Sequence, residues 1–218
     1  MGSRTGFFVT LEGGEGSGKT TQSRRIAAYL RARGHEVLET REPGGTEAGE
    51  IIRDLLLRRV EELSPRAELA LYLASRAQLV AQVVAPALAR GVSVICDRFA
   101  DSSTVYQGAG RELGIEVVEE MNEWATSGLV PDLTFYFDVK PAAGLARREG
   151  RAGGTDSLDR IEREGMDFHE RVRAAYLDLA RRHPRRVRVI SAEGGEEEVW
   201  TQVQSTLAAQ LEGWEERA

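Results

Sequence analysis

The sequence predicts an α/β protein in which a five-stranded parallel sheet is flanked by helices. Short apolar runs alternate with longer segments of helical spacing along its 218 residues, a pattern typical of a mostly parallel sheet covered on both faces. A glycine-rich segment follows the first apolar run, where a strand would pass into a helix. Because 41% of the residues are hydrophobic, the whole chain, residues 1–218, can form one domain with one substantial core.

Five strands are predicted from the short apolar runs. They are expected at residues 7–12, 36–40, 92–97, 133–138 and 187–191. The first is the run Phe7–Leu11, which leads into the glycine-rich segment, and the third is the run Val92–Cys96. Cys96 is the one cysteine of the chain, so an internal disulfide is excluded and a buried core position is its expected role.

Seven helices are predicted from apolar residues that recur at helical spacing. They are expected at residues 19–33, 46–59, 65–89, 115–127, 141–148, 158–182 and 196–214. Thr46 can cap the second helix, and Gly91 stops the third. Glu196–Glu198 open the last helix, where carboxylates favour the positive end of the helix dipole.

Charge and hydropathy exclude several classes of protein. The formal net charge of −6 leaves no basic face for a nucleic-acid polymer, so no such partner is expected. There is no stretch of about 18 apolar residues and no signal peptide, so we expect a cytoplasmic protein with no membrane partner.

The glycine-rich segment matches a phosphate-binding loop, the P-loop. Glycines let main-chain N–H groups turn toward phosphates, Lys19 can reach the β- and γ-phosphates, and the Thr20 hydroxyl can ligate Mg²⁺. The sequence therefore predicts a nucleotide-handling protein with the P-loop NTPase fold. The expected nucleotide-binding residues are Gly13, Gly14, Glu15, Gly16, Ser17, Gly18, Lys19, Thr20 and Thr21.

Two further charged elements follow predicted strands. Asp97 and Arg98 end the third strand, and ligands of open α/β sheets bind outside the carboxyl ends of strands. Asp97 can therefore approach a phosphate-bound Mg²⁺, while Arg98 faces an anion. The tight loop Arg41–Thr46 ends the second strand, and Arg53 lies in the helix that follows, directed toward a second anion.

The one low-complexity segment covers about residues 147–157. Its glycines and arginines cannot form a core. Two interpretations stay open, a mobile lid over the site or an ordinary exposed loop.

In their order along the chain, these motifs closely resemble the bacterial thymidylate kinases. The motifs are Gly13–Thr20, Thr40–Thr46, Asp97–Phe99, Tyr106–Arg111, Pro131–Thr134 and Leu158–Glu162. Many kinases and GTPases share the P-loop, but the Arg-Glu-Pro-Gly-Gly-Thr and Tyr-Gln-Gly motifs are far more restricted. The resemblance implies transfer of the γ-phosphate of ATP to dTMP, giving ADP and dTDP for dTTP synthesis, with Mg²⁺ as cofactor. It also implies a homodimer, and an apolar face on the long helix could serve that contact or belong to the core.

The resemblance further implies a set of dTMP-binding residues. They are Glu15, Glu42, Pro43, Arg53, Tyr72, Arg76, Arg98, Ser102, Tyr106 and Gln107. Tyr72 would be the platform for thymine, unless it packs in the core, and Arg76 would bond the base edge, with Gln107 and Ser102 nearby. Tyr106 would stand against the 2′ position of the sugar, where a ribose hydroxyl would clash or lose its hydrogen bond. The alternative for Tyr106 is packing beneath its loop.

Several charged residues are implied around the transferring phosphate. Glu15 would look toward the 3′-hydroxyl, and Arg53 and Arg98 would hold the acceptor phosphate. The P-loop has no arginine, so the resemblance is to the type whose catalytic arginine lies in the lid, where positive charge stabilises the transition state.

The lid offers three arginines for this role, Arg147, Arg148 and Arg151. Arg151 is the first choice, and Arg148 is expected to hold phosphate. The implied catalytic set is thus Lys19, Arg98, Arg148 and Arg151. Arg160 would either close on phosphate or pair with Asp159 or Glu164.

Other functions remain as alternatives. Another P-loop nucleoside or nucleoside-monophosphate kinase, or a small-acid kinase, would share the loop. A GTP-binding switch needs an Asn-Lys-x-Asp element to read guanine. The one asparagine, Asn122, is followed by Glu123, so the sequence lacks this element and disfavours a switch. A non-catalytic ATP-dependent regulator would not need a second anion site.

Overall fold

The computed structural model describes residues 5–152 and 160–216, with the backbone alone for residues 148–152. Within these residues five strands form one parallel sheet in the order β2-β3-β1-β4-β5. The strands are β1 Phe8–Gly13, β2 Val37–Arg41, β3 Ser93–Asp97, β4 Leu133–Asp138 and β5 Val187–Ser191. Each predicted strand lies within one residue of its observed bounds, and the α/β class is confirmed.

Helices connect the strands and cover both faces of the sheet. They are α1 Lys19–Arg31, α2 Glu47–Asp54, α3 Pro65–Leu79, α4 Ala85–Ala89, α5 Ala100–Ser103, α6 Ile115–Thr126, α7 Pro141–Ala152, α8 Met166–Arg182 and α9 Glu196–Glu215. π-helical segments follow α2, join α3 to α4 and follow α5, at Leu55–Arg59, Val80–Val84 and Thr104–Gly110. Thr46 caps α2 as predicted, because its hydroxyl accepts a hydrogen bond from the Gly49 N–H at 3.0 Å.

Two helix predictions were wrong, and one helical segment was missed. Helix α7 continues to Ala152, beyond the predicted end at 148, so the first part of the expected lid is helical. Residues 160–165 form turns and a bend, and α8 begins at Met166 and not at 158. The helical segment 100–110 was not predicted, because its polar residues and two glycines hide the apolar period. The rest of the expected lid, residues 153–157, lies outside the described residues.

The strands place alternate side chains in two apolar cores, one on each face of the sheet. Val9 and Leu11 of β1 pack with α1 and α9, whereas Phe8 packs with the helices before β3. Each fully buried side chain of this kind stabilises the fold by roughly 1.5–3 kcal/mol. Cys96 is buried in the second core as a free thiol, as predicted.

By length and composition, the continuous helical unit Pro65–Ala89 could cross a membrane. In this fold its Leu69, Leu73 and Leu79 are buried in apolar cores. Its Glu68 side chain is fully buried and accepts a hydrogen bond from Gln107, which lies outside this helical unit. The leucine face of this unit therefore packs in the core.

The sheet brings the predicted motifs to one edge. In register, Leu11 of β1 lies opposite Asp97 of β3. The P-loop after β1 and Arg98 after β3 consequently lie side by side at the carboxyl end of the sheet, where open α/β sheets bind ligands.

Candidate active site

The P-loop joins β1 to α1 and wraps around the Lys19 side chain. Lys19 Nζ donates hydrogen bonds to the main-chain carbonyls of Gly13 at 3.0 Å and Gly14 at 2.9 Å. Gly18 precedes α1 with φ of +86°, a left-handed conformation that glycine adopts without steric cost. No side chain of the described residues caps α1, so its first N–H groups are available to an anion.

The electrostatics of the loop favour binding of an anion. Burial lowers the pKa of Lys19, because desolvation disfavours the ammonium form, and the like charge of Arg98 lowers it further. A phosphate placed between these two cations would relieve their repulsion and stabilise both charges.

Helix α7 rests directly on the P-loop through two glycines. The backbones of Gly16 and Gly144 approach so closely that a Cβ on either would overlap the other segment. Residues 147, 148 and 151 follow Gly144 by three, four and seven positions, which places them on the same face of α7. This face of the helix therefore extends from the P-loop toward the expected lid.

A cleft with a volume of about 1040 Å³, partly open to solvent, lies beside the P-loop. Gly14 and Glu15 of the P-loop form part of its wall. The structure brings nine of the ten expected dTMP-binding residues to this wall: Glu15, Glu42, Pro43, Arg53, Tyr72, Arg98, Ser102, Tyr106 and Gln107. Its size suits a nucleotide-sized ligand.

Arg98 holds a positive charge at the P-loop end of the cleft. Its φ of +69° lies in the left-handed region, which is uncommon for a residue with a Cβ and is found at functional sites. Arg98 Nη2 lies 3.3 Å from Glu15 Oε1, and Nη1 lies 3.4 Å from Ser102 Oγ. Its guanidinium also lies 5.3 Å from the centre of the Tyr106 ring.

Glu12 forms hydrogen bonds with residues that follow Arg98, and it was not predicted from the sequence as a site residue. The carboxylate is fully buried in β1 and accepts hydrogen bonds from the Phe99 N–H at 2.9 Å and the Tyr176 hydroxyl at 2.7 Å. It also accepts a 2.5 Å bond from Ser102 Oγ. Burial raises the pKa of Glu12, and the nearby Asp101 raises it further. The sequence did contain a signal for this role, because a glutamate stands at the end of an apolar strand directly before the P-loop.

Arg76, expected at the base edge, is not among the described residues that line the cleft. It is 1% exposed, and all five of its N–H donors are engaged. They bond Glu42 Oε2, Ser103 Oγ, Asn122 Oδ1 and the Phe99 carbonyl, at 2.6–3.1 Å. For Arg76 to donate a hydrogen bond to a base, it would first have to break one of these hydrogen bonds. In this structure Arg76 instead positions Glu42.

Glu42 presents an unusual carboxyl group to the cleft. Its Oε1 is buried and has no hydrogen-bond partner among the described residues. Burial raises the pKa of Glu42 to about 7, although the charge of Arg76 opposes this shift. A polar group of a ligand could bond this oxygen.

Two tyrosines of the cleft wall had alternative interpretations. Tyr72 is half-buried and lines the cleft, so the alternative of a core position is wrong. Tyr106 lines the cleft and also packs against the rings of Phe168 and Tyr176, each with a centroid distance of 6.2 Å. Tyr106 therefore packs beneath its loop and also faces the cleft.

A second groove, of about 760 Å³, lies on the other side of the P-loop. Its wall includes Gly16, Ser17, Gly18 and Thr21 of the predicted nucleotide-binding set, together with Gln22, Arg147, Ala192, Gly194, Glu196 and Val199. Arg147 donates hydrogen bonds to the carbonyls of Ala192 at 2.5 Å and Glu193 at 2.9 Å, tying α7 to the loop after β5. The P-loop is thus a common wall of the cleft and the groove.

The residues expected to hold Mg²⁺ fit a cation that keeps most of its water. Asp97 Oδ1 is buried without a hydrogen-bond partner in the described part of the chain. Thr20 is exposed in the first turn of α1. No cluster of three or more His, Cys, Asp or Glu residues occurs among residues 5–147 and 160–216. This donor set suits Mg²⁺ held mainly by phosphates and water, and not by an all-protein cage.

One face of α8 completes the cleft, and sequence reasoning missed it. His169, Val172, Arg173 and Tyr176 line the wall at helical spacing, a period that the sequence contained. Arg173 is held by Asp138 at 2.7 Å and 2.9 Å.

The structure describes only some of the arginine side chains expected near the transferring phosphate. Arg160 pairs with Glu68, so neither of the two alternatives considered for it describes its contact here. The side chains of Arg148 and Arg151 lie outside the described residues.

Comparisons with known proteins agree on one family. A sequence model of the thymidylate kinase family matches residues 11–203. The thymidylate kinase of Gloeobacter violaceus is 48% identical over 201 residues, covering 92% of this chain and 94% of that protein. That of Deinococcus radiodurans is 47% identical over 203 residues, covering 93% and 97%. The crystal structure of thymidylate kinase from Ehrlichia chaffeensis superposes with a TM-score of 0.75 at 33% identity, covering 93% and 98%.

Proposed function

Since the chain belongs to the thymidylate kinase family and transfers a phosphate of ATP to dTMP to give dTDP, we propose that the cleft beside the P-loop is its dTMP site and the groove its ATP site. The observation that carries this assignment is the P-loop as a common wall of both cavities. Phosphates bound from either side would meet at the P-loop, whose backbone surrounds the Lys19 ammonium. Such alignment of donor and acceptor supplies much of the rate in phosphoryl transfer.

The charges around this wall take complementary roles. The N–H groups at the start of α1 and the Lys19 ammonium bind the β- and γ-phosphates of ATP. Arg98 and Arg53 hold the phosphate of dTMP, whose oxygen attacks the γ-phosphorus while the bond from that phosphorus to the β-phosphate oxygen breaks and ADP leaves. Arg53 is fixed by a 2.8 Å bond to the Pro43 carbonyl. Burial lowers the pKa of Arg53 and the neighbouring Arg41 lowers it further, so an acceptor phosphate would relieve an unfavourable site.

We assign the Mg²⁺ contacts to Thr20, directly, and to Asp97, directly or through water. When bound with ATP, Mg²⁺ neutralises negative charge on the β- and γ-phosphates. Thr20 and Asp97 would hold and orient the metal, and Lys19 and Arg98 would bond other phosphate oxygens.

The dTMP nucleoside lies along the tyrosine side of the cleft in this proposal. Tyr72 provides the platform for thymine, with Gln107 and Ser102 near the base. Glu15 reaches the 3′-hydroxyl from the P-loop, and Tyr106 occupies the space beside the 2′ carbon.

Tyr106→Ala should weaken the preference of the enzyme for dTMP over ribo-TMP. Removing the ring opens space for a 2′-hydroxyl, and we expect the ratio of kcat/KM values to fall about tenfold, within the range that one steric or polar contact commands. The matched variant Tyr106→Phe keeps the ring and should change this ratio little. Competing steady-state assays with the two acceptors measure the effect.

Because Tyr106 also packs against Phe168 and Tyr176, Tyr106→Ala should lower the melting temperature as well. A lower melting temperature with an unchanged substrate ratio would remove Tyr106 from sugar recognition.

A homodimer and a cytoplasmic location complete the proposal. An apolar stripe on α6 supports the dimer: Val117, Met121 and Trp124 recur at helical spacing and are 53%, 40% and 79% exposed. Trp124→Glu should therefore shift the protein toward monomer, whereas Glu116→Gln, on the same helix, should not. Sedimentation velocity decides the matter, and a monomeric wild type would contradict it.

A further inference from the structure

Glu68 is a fully buried carboxylate at the start of α3, with no place in the site described above. Its exposure is 0%. Glu68 Oε1 accepts a 2.6 Å hydrogen bond from Gln107 Nε2. Arg111 lies 3.2 Å from Oε2, and Arg160 donates to the same oxygen. Two guanidinium groups thus offset the cost of burying this charge.

The bond to Gln107 determines which end of the amide faces which way. A carboxylate can only accept hydrogen bonds, so the NH₂ end of the Gln107 side chain must point to Glu68. The carbonyl end, Oε1, then points away from Glu68. Gln107 is 2% exposed and lines the cleft proposed for dTMP.

We propose that Glu68 is a positioning residue that fixes the Gln107 amide with its carbonyl oxygen toward the base of the acceptor nucleotide. A carbonyl oxygen in this place accepts a hydrogen bond from the N3–H of thymine. Cytosine has a lone pair at N3, which would face that oxygen without a donor. Glu68 therefore selects bases with N3–H without touching the nucleotide, an inference that rests on the cleft being the dTMP site.

The surroundings of Glu68 make this orientation rigid. Arg111 also binds Glu164, at 2.5 Å, so the segment after the lid is joined to the same cluster. An amide that lacked the charged acceptor could rotate by half a turn and offer its NH₂ end to the cleft. The two orientations differ by a buried hydrogen bond to a charged group, which is among the stronger polar contacts in proteins.

Glu68→Gln tests the proposal, with Glu164→Gln as its matched control. The control removes a carboxylate from Arg111 but does not touch Gln107. For Glu68→Gln we expect the KM for dTMP to rise about tenfold and the dTMP-to-dCMP ratio of kcat/KM to fall about tenfold, as loss of one such bond implies. The KM for ATP and the kcat at saturating dTMP should stay near wild type, and Glu164→Gln should match wild type in all four quantities.

The Gln107→Ala background separates positioning from a merely structural role. If Glu68 acts through Gln107, Glu68→Gln should add no further change in base selectivity to Gln107→Ala. Additive effects, or a lower melting temperature with unchanged selectivity, would overturn the proposal. Should Glu68→Gln fail to fold, Glu68→Asp keeps the charge but withdraws it by one methylene, and the same expectations apply. Wild-type protein that does not phosphorylate dTMP would refute the assignment of the cleft as the dTMP site. That result is distinct from failure of the Glu68 proposal, in which wild type is active and Glu68→Gln leaves base selectivity unchanged.

Discussion

Replacing Lys19 by alanine should lower kcat by roughly 10²–10³-fold or more, the size expected when one donor to a transition-state oxygen is lost. Lys19 Nζ bonds the Gly13 and Gly14 carbonyls and lies 3.4 Å from Ser17 Oγ. Its contacts thus lie within the P-loop, and the apolar core does not depend on them. The melting temperature should therefore stay close to wild type.

Lys140 offers a matched control, since it is the other lysine of the chain. Its side chain is 68% exposed and its ion pair with Glu193 is long, at 3.8 Å, so Lys140→Ala should leave kcat unchanged. Single-turnover measurement of phosphate transfer compares the variants. A fully active Lys19→Ala enzyme would show that the P-loop is not the catalytic element.

Removal of the Arg151 side chain should produce the second large effect, a fall in kcat of roughly 10²–10³-fold, in line with arginine-finger contributions. Two other arginines considered for the transferring phosphate have partners elsewhere. Arg147 is bound to the Ala192 and Glu193 carbonyls, and Arg160 to Glu68. Position 151 lies one turn beyond Arg147 on the face of α7 that meets the P-loop. Its charge is thus proposed to act in the transition state.

A residue used mainly in the transition state lowers kcat and leaves ground-state affinity nearly unchanged. We therefore expect Arg151→Ala to bind ATP and dTMP with near-wild-type dissociation constants. Arg148→Ala should cost less in kcat, because Arg148 is proposed to hold phosphate. Arg147→Ala should mainly weaken ATP binding, since it loosens the wall of the groove. Near-wild-type kcat in all three variants would contradict a catalytic lid.

The strands and the P-loop could be predicted from sequence because their signals are local. A buried parallel strand is a nearly continuous apolar run, and a P-loop needs glycines and a lysine at fixed spacing. The motifs around Arg53, Arg98 and Tyr106 were expected to lie together, and they line one cleft, for a related reason. Each follows a strand or lies on a helix next to the same edge of the sheet.

Long-range polar pairs could not be predicted in this way. Arg76 has helical spacing from Tyr72, yet its guanidinium is bound by Glu42, 34 residues earlier, and Asn122, 46 residues later. Arg160 and Glu68 are 92 residues apart. Such contacts depend on how α3, α6 and the turn before α8 pack against one another. The periodicity of a single segment does not indicate which other segments it will contact.

Helix boundaries also depended on context. The segment 100–110 is helical although glycines and polar residues obscure its period, because it packs against α6 and α8. The start of α8 was placed too early, since charged residues before Met166 continued a helical pattern without supplying a buried face.

The central claim, that the cleft beside the P-loop is built for dTMP, is tested most directly by steady-state kinetics with a panel of acceptors. Wild-type enzyme with ATP and Mg²⁺ would be assayed with dTMP, ribo-TMP, dCMP, dGMP and AMP. The geometry predicts the highest kcat/KM for dTMP, with losses for a 2′-hydroxyl and for a base that lacks N3–H. Turnover of dGMP or AMP well above that of dTMP would contradict it.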